Sequence, residues 1–392
     1  MTQSNLADPQ PAPPPVIGGT SSITDRSHVA SLNTWPGTRA LTSNPLATRA
    51  ELNLDENLGQ RQATWTFQLI NGVSGQVLGE LHPVIQPATI NHDTMRVIKR
   101  DLRIGLTAAD VAAINPITDR VLPYMHLAGY AYPLGRYLFN DPTQIVSTGG
   151  NQGIYSLLDE MFIIDQQMEA GFSSTSPVDQ AVRALLHDLP LQLVLVEASQ
   201  YAAVGGWGAG TTRGMVLDAL AIQGDYETPW MDHRGDFRMV RTVDPDKTPA
   251  ALDLDTGRRV LRSSISQTND LLNAPNRFII VGNSGTAVDT PIVGTYDVPP
   301  NAPHSILNRG FVIPRVESLQ VTNVAQAKAI AQGWGIRSTV FERADLDTVP
   351  DPRHDSYDVI HWAGRNWLEL AWSMTCAEGG VMRHSLRRAL LA

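Results

Sequence analysis

The sequence predicts a mainly β chain with α/β insertions, in which two β-rich ends bracket a mixed α/β middle. Three observations lead there. Glycine and proline number 31 and 26 of 392 residues, together about 15% and above the usual share, which favours many turns and short strands. Short β-type runs separated by turn residues fill positions 64–139 and again 338–386. Helical periodicity is confined to three segments between them.

Residues 1–60 precede the first strand signal. They carry Pro9, Pro11, Pro13, Pro14 and Pro15 and then a Ser/Thr/Asn-rich run. Such a segment cannot bury enough apolar area to offset its ordering entropy, so it reads as an extended arm that orders on a partner. Its first 19 residues hold no apolar run of the kind a secretory signal needs.

In segment 61–150, strands are expected at 64–69, 77–85, 95–106, 120–127 and 135–139. Asn71-Gly72, Ser74-Gly75 and Ala128-Gly129 link them, since glycine supplies positive φ without steric cost. Around Val97, Ile98, Leu102 and Ile104, charged interruptions suit a strand with one wet face. The segment reads as a barrel or sandwich.

In segment 151–245 the period shifts toward helix. Ser176 as N-cap and Pro177 at the first helical position predict a helix with Val178, Val182, Leu185, Leu186 and Leu189 on one face. A second helix is expected from Thr211 or Thr212, carrying Met215, Val216, Ala219, Leu220 and Ile222 to a stop at Gly224. A strand is expected at 237–242. Segment 246–335 is loop-rich, with strands expected at 277–281 and 310–313 and a helix at 323–332 presenting Ala325, Ala329, Ile330 and Trp334. Segment 336–392 returns to strands at 338–341, 357–362, 367–374 and 381–386.

One echo links the two ends. His126-Leu127-Ala128-Gly129 and His361-Trp362-Ala363-Gly364 both close a β-type run with the same turn, and an aromatic-containing strand follows each. The match is short, but it hints at an internal duplication.

A formal net charge of -9 offers no basic field for phosphates or an anionic membrane. No stretch approaches the ~18 apolar residues of a membrane span. The single cysteine, Cys376, excludes an intramolecular disulfide and reads as a small buried hydrophobe. These features point to folding in a cytoplasm. Only three of the 30 basic residues are lysines (Lys99, Lys247, Lys328), a skew that reflects a GC-rich genome rather than a binding site.

Catalytic motifs fall short one by one. The run Gly205-Gly206-Trp207-Gly208-Ala209-Gly210 precedes a helix as a dinucleotide loop would, but Arg213 stands where the final glycine belongs, so a flexible loop is the better reading. Gly282-Asn283-Ser284-Gly285 resembles a nucleophile elbow until Thr286 replaces the required glycine. None of the ten histidines forms a His-Glu-x-x-His pair; His92-Asp93 and His354-Asp355 read as solvated loop residues or strand starts. Asp159, Glu160 and Asp165 carry the chemistry of a glycosidase acid/base pair, although a charged face explains them more simply. Trp207, Trp230, Trp334, Trp362, Trp367 and Trp372 suit core and interface anchors better than a sugar platform. No catalytic, cofactor or metal residue is therefore assigned.

The C-terminal half carries a resemblance. The run from Asn269 through Pro275, Asn276 and Arg277 to Gly282, then Asn301-Ala302-Pro303-His304-Ser305 and Asn308-Arg309-Gly310-Phe311, resembles the tail-tip proteins of long-tailed phages of GC-rich, actinobacterial-type hosts. So do Asp355-Ser356-Tyr357-Asp358-Val359, Trp367-Leu368-Glu369-Leu370-Ala371-Trp372 and Gly379-Gly380-Val381-Met382-Arg383-His384, with Asn115-Pro116-Ile117-Thr118-Asp119-Arg120 and Tyr132-Pro133-Leu134-Gly135 upstream. The resemblance covers roughly residues 60–390.

It implies a baseplate or tail-tip hub, a structural virion protein and not an enzyme. Two tube-like β-barrel domains would bracket the mixed middle, with the second barrel's strands in 336–392. Three chains would place six barrels in a ring that joins the six-fold tail tube to a three-fold tip. The implied partners are two further copies in a homotrimer, the distal tail protein ring, the C-terminal end of the tape-measure protein, and downstream tail-tip or receptor-binding proteins. No cofactor, direct nucleic-acid recognition or membrane contact in the assembled resting state is implied. A glycan-binding protein or cell-wall glycan hydrolase at the tail tip is the alternative.

Overall fold

A computed structural model describes residues 63–83, 86–127, 129–147, 150–191, 194–255, 260–267, 273–282, 292–337 and 341–389. The N-terminal arm therefore lies outside the described residues, as do Ala128, most of the elbow-like run after Gly282, and positions 338–340 of the strand expected there.

The first stretch is nearly all strand: β1 (Thr64–Asn71), β2 (Val77–Leu81), β3 (Ala88–Asp93), β4 (Arg100–Leu106), the short helix α1 (Ala108–Ala113), β5 (Asp119–Leu127), β6 (Tyr130–Pro133), β7 (Tyr137–Ser147) and β8 (Gly150–Asp159). The strand expected from residue 95 starts only at Arg100, after a turn that leaves Val97 exposed; within β4, Arg100, Leu102 and Ile104 are buried while Asp101 and Arg103 are less so. Thr107 caps α1 by accepting the Asp110 N–H.

The centre comprises α2 (Met161–Ile164), β9 (Phe172–Ser173), α3 (Val178–Leu186), β10 (Val194–Val196), β11 (Gly206–Trp207), α4 (Arg213–Gly224), β12 (Trp230–Met231) and β13 (Phe237–Met239). Helix α3 buries Val178, Val182, Leu185 and Leu186 as its periodicity requires, each contributing about 1.5–3 kcal/mol. Pro177 itself occupies the N-cap, one residue later than expected, and Leu189 falls beyond the helix end. Thr212 caps α4 through the Met215 N–H, and Asp225 closes it in the left-handed region at φ 57.

Then follow β14 (Leu252–Asp253), β15 (Val260–Gln267), β16 (Arg277–Gly282), β17 (Ile292–Asp297), α5 (Ile306–Arg309), β18 (Pro314–Leu319) and α6 (Val324–Ile336). The strand expected at 310–313 starts instead at Pro314, because Gly310 in the left-handed region ends α5 and the chain must turn first. Helix α6 buries Gln326, Ala327, Ile330 and Ala331, a face rotated from the expected one that leaves Ala325 exposed. The chain closes with β19 (Phe341–Thr348), β20 (Val359–Trp362), β21 (Arg365–Cys376) and β22 (Met382–Ala389).

The strands of both ends join in one 14-stranded sheet, whose main path runs β15-β19-β22-β21-β3-β4-β8-β7-β5-β1-β2. The mainly β class and the mixed centre are as the sequence predicts. The two ends do not form separate closed barrels: among the described residues the path is open, and β21 of the second end pairs directly with β3 of the first. Backbone hydrogen bonding made this join, and the main core follows it, with Ile90, Leu102 and Leu157 packed beside Trp372, Met374, Cys376 and Met382. A second core fills the centre around α3, α4 and Phe237, and a third lies between α6 and the three-stranded sheet β17-β16-β18.

Candidate functional site

The central row of this sheet is a repeat. Its order β15-β19-β22-β21 is followed by β3-β4-β8-β7, two sets of four antiparallel strands placed head to tail. The fourth strand of each carries one register shift at the same place: between Phe139 and Asp141 in β7, and between Glu369 and Ala371 in β21. Aligned on these bulges, Leu157 of β8 corresponds to Leu386 of β22, and both are fully buried. The echo noted in the sequence falls at the same point of both units. His126 and Leu127 pair with Ala131 and Tyr130, as His361 and Trp362 pair with Asn366 and Arg365, so each motif forms a two-residue hairpin leading toward a fourth strand. Gly129 (φ 86) and Gly364 (φ 68) supply the left-handed conformation that such a turn demands.

The two sets meet at β21–β3, where Ala371 faces Asp93 and Cys376 faces Ala88. The seam is polar on one side. His92 stacks on Trp372 with ring centroids 5.4 Å apart, and its Nε2 is 2.7 Å from the Ser356 hydroxyl. Arg100 lies over the same indole and donates to Asp355, which also accepts from Trp230 Nε1 (3.0 Å) and the Ser356 N–H (2.8 Å). Burial and the Arg100 charge hold His92 down at about 3, a neutral ring. Burial would raise the Asp355 pKa, but the Arg100 charge, the charge and hydrogen bond of His233 and the Ser356 N–H drive it well below the usual carboxylate range. At the back of the seam Lys99 Nζ donates to the carbonyls of Thr94 (2.7 Å) and Arg96 (3.1 Å) and to Thr228 Oγ1 (2.7 Å). Burial lowers its pKa to about 8, beside a cavity of about 350 Å³ also lined by Asp218, Glu227, Arg337, Tyr357 and Arg387.

Two strands of the second set, β21 and β22, and the loop before β20 bring Glu369, His384 and His354 together, none more than 3% exposed. His354 Nδ1 lies 2.8 Å from Glu369 Oε2, His384 Nδ1 2.6 Å from Oε1, and His384 Nε2 2.8 Å from Thr348 Oγ1. Burial alone would raise the Glu369 pKa, but the charge and hydrogen bond of His354, joined by His384, bring it down to about 2. Burial likewise opposes protonation of His354, and the Glu369 charge overcomes it, raising its pKa; His384 is lowered by burial. His354 is thus the favoured cation of the set. Its donor atoms lie within 4.8 Å of one another, as do those of Asp232, His233 and Asp355, and both sets have ligand types a metal ion accepts.

Several sequence readings change here. His92 and His354 are buried, not solvated, because strand pairing and the loop before β20 fold them into the sheet. Asp159 accepts the N–H groups of Arg100 (3.0 Å) and Met161 (2.9 Å), and burial lifts it to about 7. Glu160 faces Arg136 at 3.2 Å, and Asp165 ends α2 with its backbone N–H donating to the Met161 carbonyl; Asp159 and Glu160 thus have separate structural partners. The glycine run forms β11, paired with β9, and then the loop into α4. Trp367 and Trp372 are core residues, and Cys376 is buried with its thiol pushed up to about 12. The His-Glu-His set was missed because its members stand 15 residues apart. The one available signal was a lone acid, Glu369, inside the apolar run Trp367 to Trp372.

No family model and no curated protein matches the chain. Among solved structures, it is similar to the 43 kDa tail protein of prophage MuSo2 from Shewanella oneidensis, at 14% identity over 82% of this chain and 98% of that one, with a TM-score of 0.54. It is similar to the tail protein from Neisseria meningitidis MC58 (14% identity, 84% and 98% coverage, TM-score 0.55). It also matches prophage tail protein gp18 from Listeria monocytogenes EGD-e (6% identity, 83% and 95% coverage, TM-score 0.56). At such low identity the likeness is one of fold, and it spans nearly the full length of each of these tail proteins.

Proposed function

We propose that this chain is a structural phage tail protein: a homotrimeric hub at the tail tip of the virion that joins the six-fold tail tube to a three-fold tip. The observation that carries the reading is the tandem row of four-stranded sets. One chain with two equivalent sets supplies two of the six positions that a tube-matching ring needs, so three copies complete it with closed symmetry. The fold likeness to tail proteins supports the same reading. In this role the chain acts by assembly rather than catalysis. Its partners are the distal tail ring above, the tape-measure end within, and tip or receptor-binding proteins below, with the N-terminal arm available to one of them. Host type remains that of the sequence resemblance.

Native mass measurement of the purified full chain tests the reading. A trimer, or a trimer formed on adding the distal tail ring, is the expected result. A chain that stays monomeric in both conditions overturns it, and release of reducing sugar from host cell wall would restore the hydrolase alternative.

A further inference from the structure

Among the described residues, the row of eight strands ends in one unpaired edge and in one that is paired only at its start. At one end β15 pairs only with β19 among the described residues, and Leu261 through Ser266 are all exposed. At the other end, among the described residues, β7 pairs with β5 only through Tyr137 and Leu138, and the backbone from Asp141 to Ser147 pairs only with β8. Long β edges of low charge are a standing template for further pairing, and folded proteins normally cover or guard them. Between Thr143 and Ser147 there is no charge and no proline.

The in-chain seam shows what covers such edges. There the fourth strand of one set, β21, pairs through its first half with its hairpin partner β20 and through its second half with the first strand of the next set, β3. Strand β7 has the first of these contacts, with β5, and among the described residues it has no counterpart of the second. Strand β15 is the counterpart of β3, and its side chains show the missing cover. Register through β4 and β19 makes Ile265 the counterpart of Ile90, yet Ile90 is fully buried and Ile265 is 51% exposed. Ser263 and Ser264, counterparts of Ala88 and Thr89, are exposed too.

We infer that β7 of one subunit pairs antiparallel with β15 of a second copy, repeating the β21–β3 seam, an assignment that rests on the hub reading. Transferring the register, in which Met374 faces Ile90 and Thr375 faces Thr89, sets Gln144 opposite Ile265 of the partner subunit and Ile145 opposite Ser264 of the partner subunit. Pro142 has no N–H to give, so the ladder runs from Thr143 onward. Because each chain bears one edge of each kind, the contact is head-to-tail and closes a ring.

Cysteine pairs in the full chain test the register, with the buried Cys376 as the unmodified background. Directly opposed residues have Cβ atoms about 4.5–5.5 Å apart, and closer at non-hydrogen-bonded positions, so of two adjacent pairs one meets disulfide geometry. Under mild oxidation, Gln144→Cys/Ile265→Cys or Ile145→Cys/Ser264→Cys should convert most of the protein to a covalent trimer on a non-reducing denaturing gel. The displaced pair Ile145→Cys/Arg262→Cys should stay monomeric there. If native mass shows a trimer while only the displaced pair cross-links, or while Ser264→Cys alone yields dimers, the register is wrong and the hub reading stands. A chain monomeric in native mass that forms none of these bonds overturns both.

Discussion

At the bulge of the fourth strand the two sets hold different chemistry in the same place. In the first, Phe139 meets Tyr155 edge-on, ring centroids 5.4 Å apart. In the second, the corresponding residues are Glu369 and His384, joined by a 2.6 Å hydrogen bond and extended to His354. An aromatic pair satisfies the fold at this point, so the sheet does not require the buried charges. Breaking such a set is costly, because the remaining partners stay desolvated and unpaired, whereas replacing it whole by apolar groups can be neutral. The difference teaches that the second set holds a buried charged network in a place where the first holds only packing.

The largest expected effect breaks that contrast from the charged side. Glu369→Gln leaves two buried imidazoles without their anion and should cost about 3–5 kcal/mol in denaturant unfolding; Phe139→Leu, at the half-buried counterpart, should cost about 1 kcal/mol. Equal losses would mean that the two positions are not equivalent. Importing the aromatic solution sharpens the point. The triple variant His354→Leu, Glu369→Phe, His384→Tyr should recover much of the loss, on the order of 1–4 kcal/mol relative to Glu369→Gln, and a triple variant less stable than the single one would count against the transfer.

The pH dependence separates the seam from the His-Glu-His set. His92 has its folded pKa lowered, so its stability is present above about 6.5 and declines as pH falls toward about 3, where the unfolded chain alone takes the proton. The Glu369 contribution is present above about 4.5 and is lost as pH falls toward about 2. The His354 contribution is present below about 6.5 and is lost as pH rises through its raised folded value. Thermal melts between pH 7 and 4 should fall, and His92→Phe should flatten that fall by a few kcal/mol at one side of the seam. An unchanged slope would place the acid sensitivity elsewhere. The smallest effect concerns the hairpins. Gly129→Ala and Gly364→Ala each force a side chain to positive φ, with open space around both, and should cost a similar ~1–2 kcal/mol. A loss at one turn only would break the equivalence of the two hairpins.

Much of this was legible in the residues themselves. Thr212 and Asn323 announce helix starts with side chains that reach their own backbone, and α3 announces its buried face by spacing, because these contacts lie within a few residues. Ala363 and Gly364 announce a hairpin for the same reason, and the His-apolar-Ala-Gly echo pointed to a repeat that the strand order then displayed. Strands β3, β8 and β15 were not read. Their Asn-, Gly- and Ser-containing sequences do not alternate cleanly, and their pairing depends on backbone groups that every residue carries.

By itself, then, the sequence determined the three longest helices, the hairpin turns at Gly129 and Gly364 and that both ends are β-rich. Only the tertiary structure decided that β21 joins β3, that the expected barrels merge into one open row, and that His354, Glu369 and His384 share a buried point. Those outcomes rest on contacts between residues far apart in the chain, which form or fail through geometry and burial that no local pattern encodes.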